Sequence, residues 1–253
     1  MTFWQELETE LARWSREAPA SLWWRDDDTA LPAASLDRLL GLSADAEAPL
    51  ALAVVPRDLS DALVPVLAST PSVTVIQHGY AHVNHAPVAP RAGAWELGGH
   101  RPAAVVLGEL ADGRERLRQR FGARFRPVLA PPWNRIDAAL VPLLPAAGYV
   151  GLTGFGPRQS SKAAAGLVQV NTHYDPIAWR RGRAFSGLAD AASDLIGHLR
   201  QRRQRTVDGD EATGILTHHW ALDAAAWDFL EALIPTLARH PHVRLLSADV
   251  VFG

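Results

Sequence analysis

Short apolar runs and helix-period segments alternate along almost the whole chain, and few folds can absorb that rhythm. Pro49 to Val55 reads PLALAVV, a near-continuous apolar strand of the kind buried on both faces. Ser21–Trp24, Val73–Ile76, Pro127–Ala130, Tyr149–Leu152, Leu167–Val170, Thr213–Thr217 and Val243–Leu246 are further strand candidates, short and bulky or β-branched. Between them, apolar residues recur at helical spacing. Phe3, Leu7, Leu11 and Trp14 predict an amphipathic helix over 3–17, and Leu36, Leu39 and Leu40 one over 32–42. Further helices are expected over 60–68, 101–121, 136–147, 186–204 and 223–238. Strand and helix alternate about seven or eight times with no linker between them. That predicts a single α/β domain over 1–253, its parallel strands closed or nearly closed into a barrel with the first helix packed against it.

Composition narrows the partners. A chain of 253 residues with 48% hydrophobic and 21% charged residues is an ordinary globular protein, long enough for a barrel-sized core. A formal net charge of -2 gives no basic face, so nucleic acid is not an expected partner. The basic run RQRRQR at the end of the 186–204 helix reads as a solvated helix terminus. Without cysteine, neither disulfides nor thiolate metal sites can form. No apolar run is long enough to span a membrane, and the N-terminus carries acids early and no apolar core segment. A cytoplasmic location is therefore expected.

Polar clusters fall where such folds carry their chemistry, at the C-terminal ends of the strands. Trp23-Trp24 is followed by Arg25-Asp26-Asp27-Asp28, three adjacent carboxylates that cannot all be buried ionised without a cation. Val73–Ile76 leads to His78-Gly79-Tyr80-Ala81-His82, with Asn84 and His85 behind it. An Asp cluster and a His pair at strand ends suggest an Asp-His-His metal site with a second carboxylate free to act as base. Three more strands deliver Trp133-Asn134-Arg135, His173 with Asp175, and His218-His219. The stretch 86–101 has prolines and glycines and no period, so it is expected to be a long loop, of the length that is often functional.

The order of these clusters resembles the polysaccharide deacetylases of the NodB-homology type, carbohydrate esterase family 4, over about residues 21–250. HGYAH is similar to the family's second motif and Leu216-Thr217-His218 to its last. Ala130-Pro131-Pro132-Trp133-Asn134 resembles the third in part, and His173 to Trp179 resembles the fourth loosely. The resemblance implies a distorted (β/α) barrel of seven or eight mostly parallel strands, a divalent metal, most often zinc, and removal of an acyl group from an N-acetylated sugar or polysaccharide precursor. It implies His78 and His82 as metal ligands, one aspartate of the triplet as third ligand and another as base. Spacing to the next helix favours Asp26 as base and Asp27 as ligand; strand alternation puts Asp26 and Asp28 on one face and makes Asp28 the ligand. A related hydrolase of a non-sugar amide, imide or ester, or a glycan-binding descendant, are the alternatives.

Deacetylation explains the residue types. A metal acidifies water and polarises the carbonyl, a carboxylate takes the proton, and the oxyanion needs a donor, for which the backbone N–H of Trp133 is placed. His218 would protonate the departing amine. Tyr80, Asn134 and Asp175 are further candidates for contacting substrate. His219, on the opposite side of the strand, reads as a packed histidine. The family's third-motif arginine, which holds the base ionised, is Ala130 here. Arg135 is expected to replace it, rather than Arg25, which as a strand neighbour points away from Asp26.

Overall fold

Apolar character decides where the strands lie. In the computed structural model of the chain, residues 1–87 and 93–253 are described. Helix α1 (Phe3–Leu11) precedes β1 (Ala20–Thr29), α2 (Ala34–Asp45), β2 (Leu50–Val54), α3 (Leu63–Ala68) and β3 (Val73–His78). Next come α4 (Ala103–Phe121), β4 (Phe125–Ala130), β5 (Gly151–Leu152), β6 (Lys162–Ala164), β7 (Leu167–Gln169) and the hairpin β8 (Ile177–Ala178) and β9 (Ala184–Phe185). Helix α5 (Leu188–Ala191) runs through a π-turn into α6 (Gly197–Gln204), and β10 (Thr213–Thr217), α7 (Ala224–Arg239), β11 (Val243–Leu246) and α8 (Ala248–Val251) complete the chain.

The main sheet has the order β10-β1-β2-β3-β4-β5-β7-β6, with β11 also on β1. All its pairings are parallel except that of β6 with β7. β1 is the hub. It pairs along one edge with β10, and along the other first with β11 and then with β2. Every residue of β2 and β3 is buried, as parallel strands covered on both faces must be. The sheet curls until the chain beyond β7 meets β10 again. A single bridge, Tyr174 to Ile215, joins them, with His173 N–H on the Gly214 carbonyl at 2.7 Å and Leu216 N–H on the Tyr174 carbonyl at 2.8 Å. The result is the distorted α/β barrel the alternation predicts. Gly214 makes this seam possible: a Cβ there would stand 2.5 Å from the Asn171 carbonyl oxygen and 2.6 Å from Trp23 Nε1. The largest apolar cluster joins α1, α2 and α7 to the outer face of the β1 side, through Leu7, Leu39, Leu52, Phe229 and Leu233.

Several elements differ from expectation. α1 stops at Leu11 rather than 17, because Arg13 and Trp14 close turns onto the Glu10 and Leu11 carbonyls. The 136–147 segment is not an α-helix but turns with one 3-10 segment over Val141–Leu143; Pro142 and Pro145 lack the N–H groups a helix interior needs. β6 arises where the sequence analysis places no strand. In RQRRQR, Arg202 is not solvated but 3% exposed, held by the Ser21 and Gly209 carbonyls and Thr213 Oγ1. The irregular stretch after His85 is present up to the start of α4, though residues 88–92 of it lie outside the described residues.

Candidate metal centre and active site

β1 carries the aspartate triplet past the point where its regularity fails. Its pairing with β2 slips between Asp26 and Thr29, and Asp28 adopts φ 72°. A left-handed residue inside a strand breaks the two-residue alternation. Asp27 and Asp28 therefore both face one pocket, and Asp26 does not.

Asp26 is fully buried behind that pocket. Its carboxylate accepts the Thr217 hydroxyl at 2.7 Å and the His219 N–H at 2.9 Å, and His219 Nδ1 lies 2.5 Å from its other oxygen. These bonds tie β1 to the turn after β10. Asp26, expected as base, thus has no access to a substrate, whereas His219 is packed as expected.

Asp28 stands between two imidazoles. His78 Nε2 is 3.0 Å and His82 Nε2 3.1 Å from its Oδ1. His78 Nδ1 lies 3.0 Å from the Ala130 carbonyl, which can only accept, so Nδ1 carries the proton and the Nε2 lone pair faces Asp28. Asp28 Oδ1 is buried and receives no hydrogen bond, while its Oδ2 accepts the Trp220 indole N–H at 3.0 Å. A buried carboxylate oxygen with two imidazole nitrogens against it is a cradle for a cation. The spacing approaches the roughly 3.3 Å edge of a tetrahedron with bonds of about 2.0–2.1 Å, and two imidazoles with one carboxylate suit zinc and its neighbours. Without an ion, charge on the imidazoles takes its place. Burial alone would raise the Asp28 carboxyl, but the His78 contact and the charges of His78, His82 and His218 hold it well below the usual carboxylate range. Burial likewise works against charge on His78, yet Asp27 and Asp28 push it up overall. His82 is pushed down, by burial and by the charge of His78.

The loop bearing His82 is fixed by a residue the sequence did not point to. Glu96, fully buried, accepts the backbone N–H of Ala81 at 2.6 Å and of Tyr80 at 3.3 Å. Gly79 has φ 53°, and a Cβ there would overlap Glu96 Oε2 and the Pro132 ring. Nothing in the irregular 86–101 stretch marks Glu96 apart from its being an acid among apolar and small residues. Tyr80, expected near substrate, does not line the pocket.

Asp27 is held by the arginine two residues before it. Arg25 Nε lies 2.9 Å from Asp27 Oδ1 and its Nη2 2.9 Å from Oδ2, a paired fork-to-carboxylate contact. The rest of the guanidinium bonds Thr153 Oγ1 at 2.8 Å and Asn134 Oδ1 at 2.7 Å, and Arg25 has no exposed surface. Arg135, expected in this position, lies elsewhere. It reaches the Ala94 carbonyl and sits 5.6 Å over the Trp95 ring, in a separate recess, touching none of the aspartates. Residues i and i+2 of a strand share a face, which is how Arg25 can point away from Asp26 and still meet Asp27.

The pocket has a volume of about 770 Å³. Across it from the triad stands His218, its Nδ1 3.6 Å from Asp175 Oδ2. Asp175 is fixed by the Ile177 N–H at 2.9 Å and the Trp179 indole at 2.8 Å, and burial pushes its carboxyl up. Trp133, at φ 55°, lies against His82 with ring centres 4.4 Å apart. Trp179 and Trp220 form the opposite rim with centres 6.0 Å apart.

Among the described residues a second group, His173, His198 and Glu211, also brings three donor atoms together. It does not fit a metal. The two rings are stacked, 3.4 Å between centres and 14° between planes, so one ion cannot lie in both ring planes. His173 Nδ1 accepts the Gly214 N–H, which puts the ring's proton on Nε2, facing Glu211 at 3.3 Å.

No protein-family profile and no curated protein matches the chain. Solved structures do. A family 4 carbohydrate esterase from Streptomyces lividans aligns over 90% of this chain and 91% of its own, with a TM-score of 0.56 and 16% identity. A peptidoglycan deacetylase from Bacillus subtilis aligns over 94% and 91%, with a TM-score of 0.58 and 13% identity. A Streptococcus mutans esterase of the same family aligns over 96% and 90%, with a TM-score of 0.57 and 14% identity. The chain has the fold of these polysaccharide deacetylases and esterases along nearly its whole length.

Proposed function

We propose that this protein is a metal-dependent deacetylase that removes an acetyl group from an N-acetylated sugar or glycan precursor. The observation that carries the reading is the adjacent pair at the end of β1, where Asp28 faces two imidazoles and Asp27 is gripped by Arg25 beside it. One carboxylate is set up to hold a cation and the other is held by a guanidinium fork. His78, His82 and Asp28 would hold a divalent ion, of which zinc suits the donors best, and the ion would supply acidified water and a Lewis acid for the carbonyl.

The chain's own residues do the rest. Asp27 takes the proton of the attacking water, and Arg25 keeps it aimed. The Trp133 N–H donates to the developing oxyanion. His218, oriented by Asp175, gives a proton to the nitrogen as the C–N bond breaks, so water and amide become carboxylic acid and amine. Asn134 acts behind Arg25. Trp133, Trp179 and Trp220 offer flat apolar faces to sugar rings. The likeness in fold to peptidoglycan and carbohydrate deacetylases supports the substrate class. Acetate release from a panel of N-acetylated sugars, with wild type and Asp27→Asn at equal metal content, tests the reading. Release from none, or equal rates for the two proteins, overturns it.

A further inference from the structure

Within this deacetylase reading, we infer that the substrate carries an anionic group, a phosphate or carboxylate, bound at the mouth of the pocket by Arg180 and Arg183. Both arginines lie on the β8–β9 hairpin and line the same pocket as the metal cradle. Among the described residues neither side chain has an ion pair or hydrogen bond, whereas Arg25, buried behind the pocket, is fully engaged. Their neighbour Arg181 is already taken by Asp190. The hairpin spends backbone strain on this arrangement: Arg183 has φ 59° beside Gly182 at φ 88°, a left-handed position that an arginine seldom holds.

Charge fixes which end of the substrate is anionic. The pocket floor holds Asp27, Asp28 and Asp175, so an anion there meets carboxylates unless it binds the metal itself. The carboxylates that line the pocket beside the hairpin are Asp190, paired with Arg181, and Asp194, whose carboxyl burial pushes up. Guanidinium forks bind phosphate and carboxylate through paired hydrogen bonds. Trp179 follows directly on β8, 37% exposed, and Trp220 is 50% exposed, so the sugar ring can lie on indole between the cradle and the arginines. An acetamide at the metal and a charge at the mouth then read the two ends of one substrate.

The test compares metal-loaded wild type with Arg180→Gln/Arg183→Gln, two exposed positions whose change leaves the core intact. Substrates are N-acetylglucosamine, its 6-phosphate, and N-acetylmuramic acid, which separate the neutral, phosphate and carboxylate cases. The anionic sugar that fits should exceed the neutral one in kcat/KM by about tenfold or more, a gain that shrinks as salt rises. The double variant should lose that gain through KM, with kcat and the neutral substrate unchanged. Equal kcat/KM for all three, or a preference that survives in the double variant, overturns the inference. If no sugar releases acetate, the deacetylase reading falls, and calorimetric binding of the same sugars decides this one separately. Arginine-dependent binding of an anionic sugar upholds it, and binding equal in both proteins or absent from both removes it.

Discussion

Replacing Arg25 with methionine keeps the stem volume and removes the guanidinium, and the structure sets the cost. Two contacts of 2.9 Å to Asp27 are lost, with those to Thr153 Oγ1 at 2.8 Å and Asn134 Oδ1 at 2.7 Å. Asn134 can turn toward the pocket and Thr153 can rotate. Asp27, 1% exposed, shows too little surface to the pocket for water to replace both contacts. Breaking a buried pair from one side costs about 3–5 kcal/mol because the remaining charge is stranded. Urea unfolding of metal-free protein reads this without the stabilisation a bound ion adds. Adding Asp27→Asn removes the stranded charge and should recover about 2 kcal/mol or more, a coupling expected only of residues in contact. The same Arg25→Met protein should lose at least about a hundredfold in kcat/KM, since a base left unaimed forfeits most of its contribution. Arg135→Ala is the contrast: a half-buried cation over Trp95, costing about 1 kcal/mol or less and leaving kcat/KM unchanged. An Arg25→Met loss below about 1 kcal/mol, or no recovery in the double variant, would refute the argument.

His78→Ala, His82→Ala and Asp28→Ala should each abolish tight binding of zinc measured by elemental analysis, whereas Asp26→Asn should retain it. Trp220→Phe removes the donor on Asp28 Oδ2 and should weaken the metal about 10–100-fold in a competition with a chelator, as loss of an outer-shell partner does. Burial, then the charges of His173 and Arg202, hold His198 down to about 2. Its folded value thus lies below the unfolded value of about 6.5, so its share of stability is present above about pH 6.5. That share is lost as pH falls, at up to about 1.4 kcal/mol per pH unit. Unfolding free energies of His198→Asn between pH 7 and 4 should fall less steeply than those of wild type.

The barrel was legible because strand-end chemistry and apolar runs are both local signals. β2, β10 and β11 lie within a residue of where hydrophobicity puts them. The residue types that gather at the pocket were legible, and which of them faces it was not. Which aspartate faces the pocket depends on one backbone angle, φ 72° at Asp28, and alternation presumes that angle away. Strand alternation turns Arg25 away from Asp26, and the same alternation aims it at Asp27. Glu96 and Trp220 act through distances across the fold, so neither had a signature in its own stretch. Over 136–147 the apolar spacing is helical, but Pro142 and Pro145 leave the backbone without the donors a helix interior needs.

The seam between Tyr174 and Ile215 divides the labour of the pocket along a mechanical line. Asp28, His78 and His82 ride on β1 and β3 and the loop after it, inside the continuous part of the sheet. Asp175 follows Tyr174 on one lip of the seam, and His218 ends the strand that forms the other. The 3.6 Å gap between them is therefore set by a joint of a few hydrogen bonds, while the cation cradle is anchored by the β1, β2 and β3 pairing below it and by Glu96 under the His82 loop. Small movements of that joint, driven by whatever lies on the β8–β9 hairpin just beyond Asp175, would tune the acid without disturbing the metal. In such a molecule the power to bind and the power to release can drift independently.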